Sequence, residues 1–135
     1  MKLFWQQKVD KLKIFEGIDT KIVHQILENA QRQNFKSWEI IIEQWDFPNY
    51  TGYIIEEWSV DVWVNGDQTA KLSEWDIFGE IALLNEEPRS ATVVASCNVV
   101  AIILSQEMLF QMIDNDDNSI NKEIMRRMEE NLENE

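Results

Sequence analysis

The stretch FGEIALLNEEPRSATVVA, from Phe78 to Ala95, decides how this chain folds and what it can hold. It sets Gly79 and Glu80 before a single apolar turn, and Pro88 and Arg89 before a β-branched run. Glycine lets a backbone approach a ligand closely. The first N–H groups of a helical turn lack intrahelical partners and attract anions. Arg89 adds a planar, permanently charged fork suited to phosphate oxygens. Between Lys36 and Lys122 the only other base is Lys71, set among many acids. A salt bridge from Arg89 to Glu80, Glu86 or Glu87 is the plainer alternative, and such a pair contributes little when exposed. The order of glycine, apolar turn, proline and arginine favours an anion site.

Outward from this segment the pattern is one of short strands. Glu39–Glu43, Tyr53–Glu57, Val60–Val64, Thr69–Leu72, Ala91–Ala95 and Val99–Leu104 are rich in β-branched and apolar residues. Turn residues separate them at Asp46–Asn49, Asn65–Asp67 and Ser96–Asn98, and Asn65-Gly66 is a strong hairpin signal. Many short strands at even spacing predict a β-sandwich or small barrel between about residues 35 and 105. Its one interruption is a helical turn at Gly79–Leu84.

Helices flank the β region. Residues 19–33 predict a helix capped by Asp19 or Thr20, with Ile22, Val23, Ile26, Leu27 and Ala30 on one stripe. His24 falls off that stripe and is expected on the solvated surface. A shorter amphipathic piece, Val9–Phe15, precedes it. Ser105 can cap a helix over Gln106–Ile113, with Glu107 in its first turn. After a polar break, Ile120, Ile124, Met128 and Leu132 define a last amphipathic helix. The expected organisation is therefore one stand-alone domain over 1–135, with helical segments at 8–33 and 105–133.

Composition narrows the function. The 135 residues make one domain, large enough to bury about two-thirds of the surface of its unfolded chain. No stretch of about 18 apolar residues is present to span a membrane, and the N-terminus lacks the apolar core of a secretory signal. The lone Cys97 cannot form an internal disulfide, which suits the cytoplasm. A net charge of −13 argues against nucleic acid or anionic membrane as partners. In such a field a phosphate is repelled at long range, so a pocket for it must win by close contacts. One histidine is too few for the usual metal set of a β-barrel enzyme, and no nucleophile–base pair is evident, so neither catalysis nor a cofactor is expected.

Phe78 through Ala95 resembles, without a gap, the phosphate-binding cassette of cyclic nucleotide-binding domains, and a looser likeness runs from about Val9 to Leu132. These domains occur in regulatory subunits of cyclic-nucleotide-dependent kinases, in gated channels and in catabolite-activator-type regulators. The resemblance implies a jelly-roll barrel with flanking helices and cAMP or cGMP as ligand. It implies that Phe78, Gly79, Glu80, Ile81, Ala82, Arg89, Ser90 and Ala91 surround the ligand. Glu80 would accept a hydrogen bond from the ribose 2′-hydroxyl, and Arg89 would pair with the exocyclic phosphate oxygens. Backbone N–H groups of Ala82 and of Ser90 or Ala91 would complete the cradle. Kinase subunits selective for cAMP tend to carry alanine where Ser90 stands, and threonine there favours cGMP. The serine leaves the base choice open, with a lean to cAMP. The final helix offers no aromatic residue to the purine, so Ile124, Met125 or Met128 would cover it as a lid. The output would pass to an effector protein or to a homodimer partner through the C-terminal helix. The alternative is a degenerate domain serving as a protein-interaction module without ligand.

Six tryptophans accompany only four glycines, where roughly nine would be ordinary. Trp38, Trp45, Trp58 and Trp75 stand at turns where the family pattern carries glycine. A bulky residue in a turn that needs positive φ costs roughly 1–3 kcal/mol. Four together would rival a domain's whole stability of about 5–15 kcal/mol. Some bacterial lineages read UGA as glycine, and translation with UGA as tryptophan would yield this pattern, with Trp5 as a further case. The alternative is that genuine tryptophans cluster as a surface patch. Trp63 belongs to a strand and is expected to be half-buried there.

Overall fold

The computed structural model describes residues 4–84 and 87–114. Eight strands form two antiparallel four-stranded sheets in a jelly roll. The first sheet runs β1 (Arg32–Phe35), β8 (Val99–Ser105), β3 (Thr51–Glu57), β6 (Ile77–Phe78). The second runs β2 (Ile40–Ile42), β7 (Thr92–Ala95), β4 (Val60–Val64), β5 (Asp67–Leu72). Four α-helices accompany them among the described residues: α1 (Phe4–Val9), α2 (Thr20–Glu28), α3 (Ile81–Leu84) and α4 (Gln106–Asp114). Asn65 and Gly66 both have positive φ, as a two-residue hairpin between β4 and β5 requires.

The apolar runs of β3 and β8 have a simple cause: the first sheet is covered on both faces. Tyr53, Ile55, Val99 and Ala101 point between the sheets, where they meet Phe35, Ile42, Val60, Phe78, Val93 and Ala95. Ile54, Ile102 and Leu104 point the other way and pack beneath the helices against Val23, Leu27, Leu109 and Met112. Each fully buried aliphatic side chain contributes roughly 1.5–3 kcal/mol relative to exposure. β5, at the edge of the second sheet, is exposed over nearly its whole length.

The N-terminal piece predicted over Val9–Phe15 is instead helical at Phe4–Val9, with only a 3-10 turn at Lys13–Phe15, and three further features differ from expectation. The helix predicted to reach residue 33 ends at Glu28, and Arg32–Phe35 pairs with β8 instead. Gln31, Gln33 and Asn34 offer no apolar stripe to prolong the helix, and the Arg32 guanidinium closes its end. Arg32 Nη1 donates to the carbonyls of Leu27 and Ala30, each at 2.7 Å, satisfying acceptors that a helix terminus leaves open. Secondly, β6 is only two residues long, too short to register as a period, and is held by stacking of Phe78 on Tyr53 at 5.1 Å. Thirdly, His24 is buried, 9% exposed, with Nε2 at 2.7 Å from Asp10 Oδ1. The N-terminal segment folds back over α2 and covers that side, bringing Val9, Phe15 and Ile18 into the helical core.

The cap positions follow the sequence. Asp19 accepts from the Lys21 N–H at 2.9 Å, and Ser105 Oγ accepts from the Met108 N–H at 3.2 Å. Because Ile54 is wholly buried between β3 and the helices, Ile54→Ala should cost about 2–5 kcal/mol of stability, read by equilibrium urea unfolding.

Candidate functional site

Between β6, α3 and the loop entering β7 lies a cavity of about 440 Å³. That is within the range of about 300–1,000 Å³ common for small-molecule sites. Phe78, Gly79, Glu80, Ile81, Ala82, Arg89, Ser90 and Ala91 all line it, so the structure gathers all eight cassette residues around one hollow. Ile42, Val62, Leu72, Ile77 and Val93 supply an apolar wall that the cassette alone did not reveal. The proposed lid residues Ile124, Met125 and Met128 lie outside the described residues. A larger groove between α2 and α4 is lined by Ile22, Gln25, Ile26, Asn29, Ala30, Met108 and Gln111 and carries no cationic side chain.

Arg89 is the most constrained polar residue of the cavity. It is only 7% exposed. Its Nη1 donates to the Gly79 carbonyl at 2.9 Å, and its Nη2 donates to the Thr51 carbonyl at 2.9 Å and to Asn49 Oδ1. The backbone is clasped as firmly: Arg89 N–H donates to Asp46 O and Trp45 N–H to Arg89 O, both at 2.8 Å. Burial pushes the guanidinium below its ordinary pKa, while Tyr53, Asp46 and Glu80 act in the opposite sense. It stays charged at neutral pH, because an arginine is not deprotonated in proteins. A guanidinium has five N–H donors, and three are used here. Nε–H and one Nη1–H have no acceptor among the described residues. Nor does Arg89 form a salt bridge among the described residues, which include Glu80 and Glu87 of the three acids considered as ion-pair partners; Glu86 lies outside them.

The acidic partner faces the same space. Glu80 lines the cavity, and among the described residues nothing hydrogen-bonds its carboxylate. The backbone N–H groups of Ser90 and Ala91 likewise have no acceptor among the described residues. Ala82 differs from expectation. Its N–H donates to the Gly79 carbonyl at 3.3 Å, closing the first turn of α3, so it is not idle in this state.

Two glycines make the convergence possible. Gly79 has φ of 71°, and a Cβ there would stand 2.7 Å from Ile42 Cδ1 and 3.0 Å from Arg89 Nη1. At Gly52 a Cβ would stand 3.2 Å from both Glu80 Cα and Leu83 Cδ1, so its absence lets β3 lie directly beneath the cassette. Asn49, Thr51 and Gly52 are the site residues that the sequence did not reveal. They lie about forty positions before Arg89, and the only local signal is a polar turn running into a strand.

The comparisons with known proteins agree with this arrangement. The sequence model of the cyclic nucleotide-binding domain matches residues 32–116. The chain is 39% identical over 83 residues, 62% of its length, to a cAMP-dependent protein kinase regulatory subunit of Debaryomyces hansenii. It is 33% identical over 87 residues, 64% of its length, to a cGMP-dependent protein kinase of Plasmodium berghei. These alignments span 18% and 10% of the two relatives, so the chain corresponds to a fifth or less of their length. Among solved structures, a cyclic nucleotide-binding-like protein from Brucella abortus superposes with a TM-score of 0.71 at 17% identity, over 81% of this chain and 97% of that one. cAMP-bound PfPKA-R (141–441) gives 0.68 at 19% identity, over 96% of this chain and 44% of that one. Thermus thermophilus catabolite activator protein gives 0.65 at 24% identity, over 88% and 54%. At these identities the structural likeness speaks for the fold, and the sequence match speaks for the family. The chain belongs to the cyclic nucleotide-binding domain family, a family of regulatory sensors.

Proposed function

We propose that this chain is a cytoplasmic cAMP sensor, favouring cAMP over cGMP, whose ligand shifts the terminal helices and so signals to an effector chain or a second copy. The observation that carries the reading is a buried guanidinium with two N–H groups that find no acceptor among the described residues, sharing one cavity with a carboxylate that no described residue hydrogen-bonds. The cyclic phosphate takes the spare Arg89 donors and the free N–H groups of Ser90 and Ala91. The ribose 2′-hydroxyl donates to Glu80. The purine rests on the apolar wall of Ile42, Val62, Leu72 and Val93, with Ile124, Met125 or Met128 as its cover. Ser90 keeps the hydroxyl of threonine and leaves the base choice open; the lean to cAMP is supported by the higher identity to the cAMP-dependent kinase regulatory subunit, 39% against 33% for the cGMP-dependent kinase.

The route to the helices is physical. α3 joins the two halves of the cassette, and Leu83 on it is buried in the helical core beside Leu109 and Met112 of α4. Gln106 Nε2, in the first turn of α4, donates to the Leu83 carbonyl at 3.2 Å. A ligand that draws α3 toward Arg89 therefore moves the residues on which α4 rests. It biases the two arrangements by its difference in affinity for them.

Four outcomes test the reading. Isothermal calorimetry should show cAMP binding more tightly than cGMP. Arg89→Ala should weaken cAMP at least tenfold, since a charge-assisted hydrogen bond is worth about 1.5–3 kcal/mol. Glu80→Gln should weaken cAMP more than 2′-deoxy-cAMP, because only the former donates to the carboxylate. At a hundred times its dissociation constant, cAMP should stabilise the fold by about 2.7 kcal/mol in chemical unfolding. Absence of calorimetric binding by either nucleotide would leave the ligand-free interaction module as the reading. Separately, Gly79→Ala should destabilise the domain by about 1–3 kcal/mol, as a side chain at its positive φ is strained, and the thermal midpoint reports this without ligand.

A further inference from the structure

We propose that the polypeptide made in its own cells carries glycine, not tryptophan, at positions 38, 45, 58 and 75. The inference stands on backbone geometry and is independent of any ligand. These four residues have φ of 71°, 75°, 73° and 70°. The chain's left-handed glycines, at positions 17, 66 and 79, have φ of 84°, 85° and 71°. Its other two left-handed non-glycine residues, Asn65 and Tyr50, sit at 52° and 57°, inside the small region near +57° that L-residues can occupy. The four tryptophans thus lie at or just beyond the upper edge of that region, beside Gly79.

Three of the four turns also declare their type. Glu39 N–H donates to Lys36 O at 2.9 Å, Asp46 N–H to Glu43 O at 3.2 Å, and Asp76 N–H to Ser73 O at 3.0 Å. Each bond closes a four-residue turn with the tryptophan third. Positive φ at that position is the mark of a type II turn, which calls for glycine or asparagine. Trp58 fills the matching left-handed place in the tight connection from β3 to β4.

Burial does not compensate the strain. Trp38, Trp45 and Trp58 are 73%, 70% and 62% exposed, so their indoles recover little from leaving water. Only Trp75 is partly covered by the core. Nor do the rings make one docking patch. Trp38 N–H bonds Ala95 O at one end of β7, whereas Trp45 N–H bonds Arg89 O before its other end. Trp63 is the internal control: it lies in β4 opposite Thr92, half-buried and without positive φ.

A decoding difference accounts for all of this at once. If UGA is translated as glycine in the cell, the same codons read as tryptophan give large residues at glycine positions, while UGG codons give genuine tryptophan. The test has two arms. Peptide mass mapping of the protein isolated from its own cells, alongside the gene, should show glycine at all four positions, each encoded by UGA, and tryptophan encoded by UGG at position 63. UGG codons or tryptophan-containing peptides at the four positions would overturn the proposal. In the second arm, a chain carrying Trp38→Gly, Trp45→Gly, Trp58→Gly and Trp75→Gly is compared with the chain as written by urea unfolding. The glycine form should have an unfolding equilibrium constant at least tenfold smaller, because side chains at incompatible positive φ destabilise. Equal or lower stability of the glycine form would remove the strain on which the inference rests.

Discussion

A single guanidinium must be charged, buried and held still, and the architecture around it meets those three demands together. Arg89 reaches to three acceptors on two separate stretches of chain: the Gly79 carbonyl of the cassette, and the Thr51 carbonyl at the start of β3 with the Asn49 side chain just before it. A buried charge without such acceptors would be very costly. These acceptors are backbone carbonyls and a neutral amide rather than a carboxylate, so among the described residues no direct ion pair cancels the positive charge. Dispersed acceptors fix orientation while leaving electrostatic pull available to an anion.

The rest of the fold can be read as support for that point. Glycine at 52 lets the first sheet pass close under the cassette, and glycine at 79 turns the chain so that its carbonyl meets Arg89. The turn at Glu43–Asp46 clasps the arginine's own backbone from both sides. Tyr50, beside Asn49, is left-handed as well, at a φ of 57° within the small region that L-residues can adopt. Residues in sparsely populated backbone regions persist where surrounding structure over-determines them, and such places cluster at binding sites.

Much of this was legible in the residues, for identifiable reasons. β4 and β7 announce themselves by β-branched content, and Asn65-Gly66 by a turn chemistry with few alternatives. The eight cassette residues are contiguous enough in sequence to be read as a unit. What escaped notice was non-local. Asn49 and Thr51 matter only because β3 lies against the cassette. β6 is too short to carry a period. β1 reads as a continuation of the preceding helix, because the Arg32 contacts that close that helix's end carry no local signal. His24 lies off the apolar stripe of α2, and that stripe carries no sign that the N-terminal segment returns across it.

The rim of the second sheet has a consequence of its own. Among the described strands, β5 leaves one side unpaired and presents Asp67, Gln68, Thr69 and Lys71 to water. Charged and polar side chains along an open strand discourage a neighbour from zipping onto it. At this edge of the second sheet a strand from another molecule thus meets charge and polar side chains rather than an apolar template.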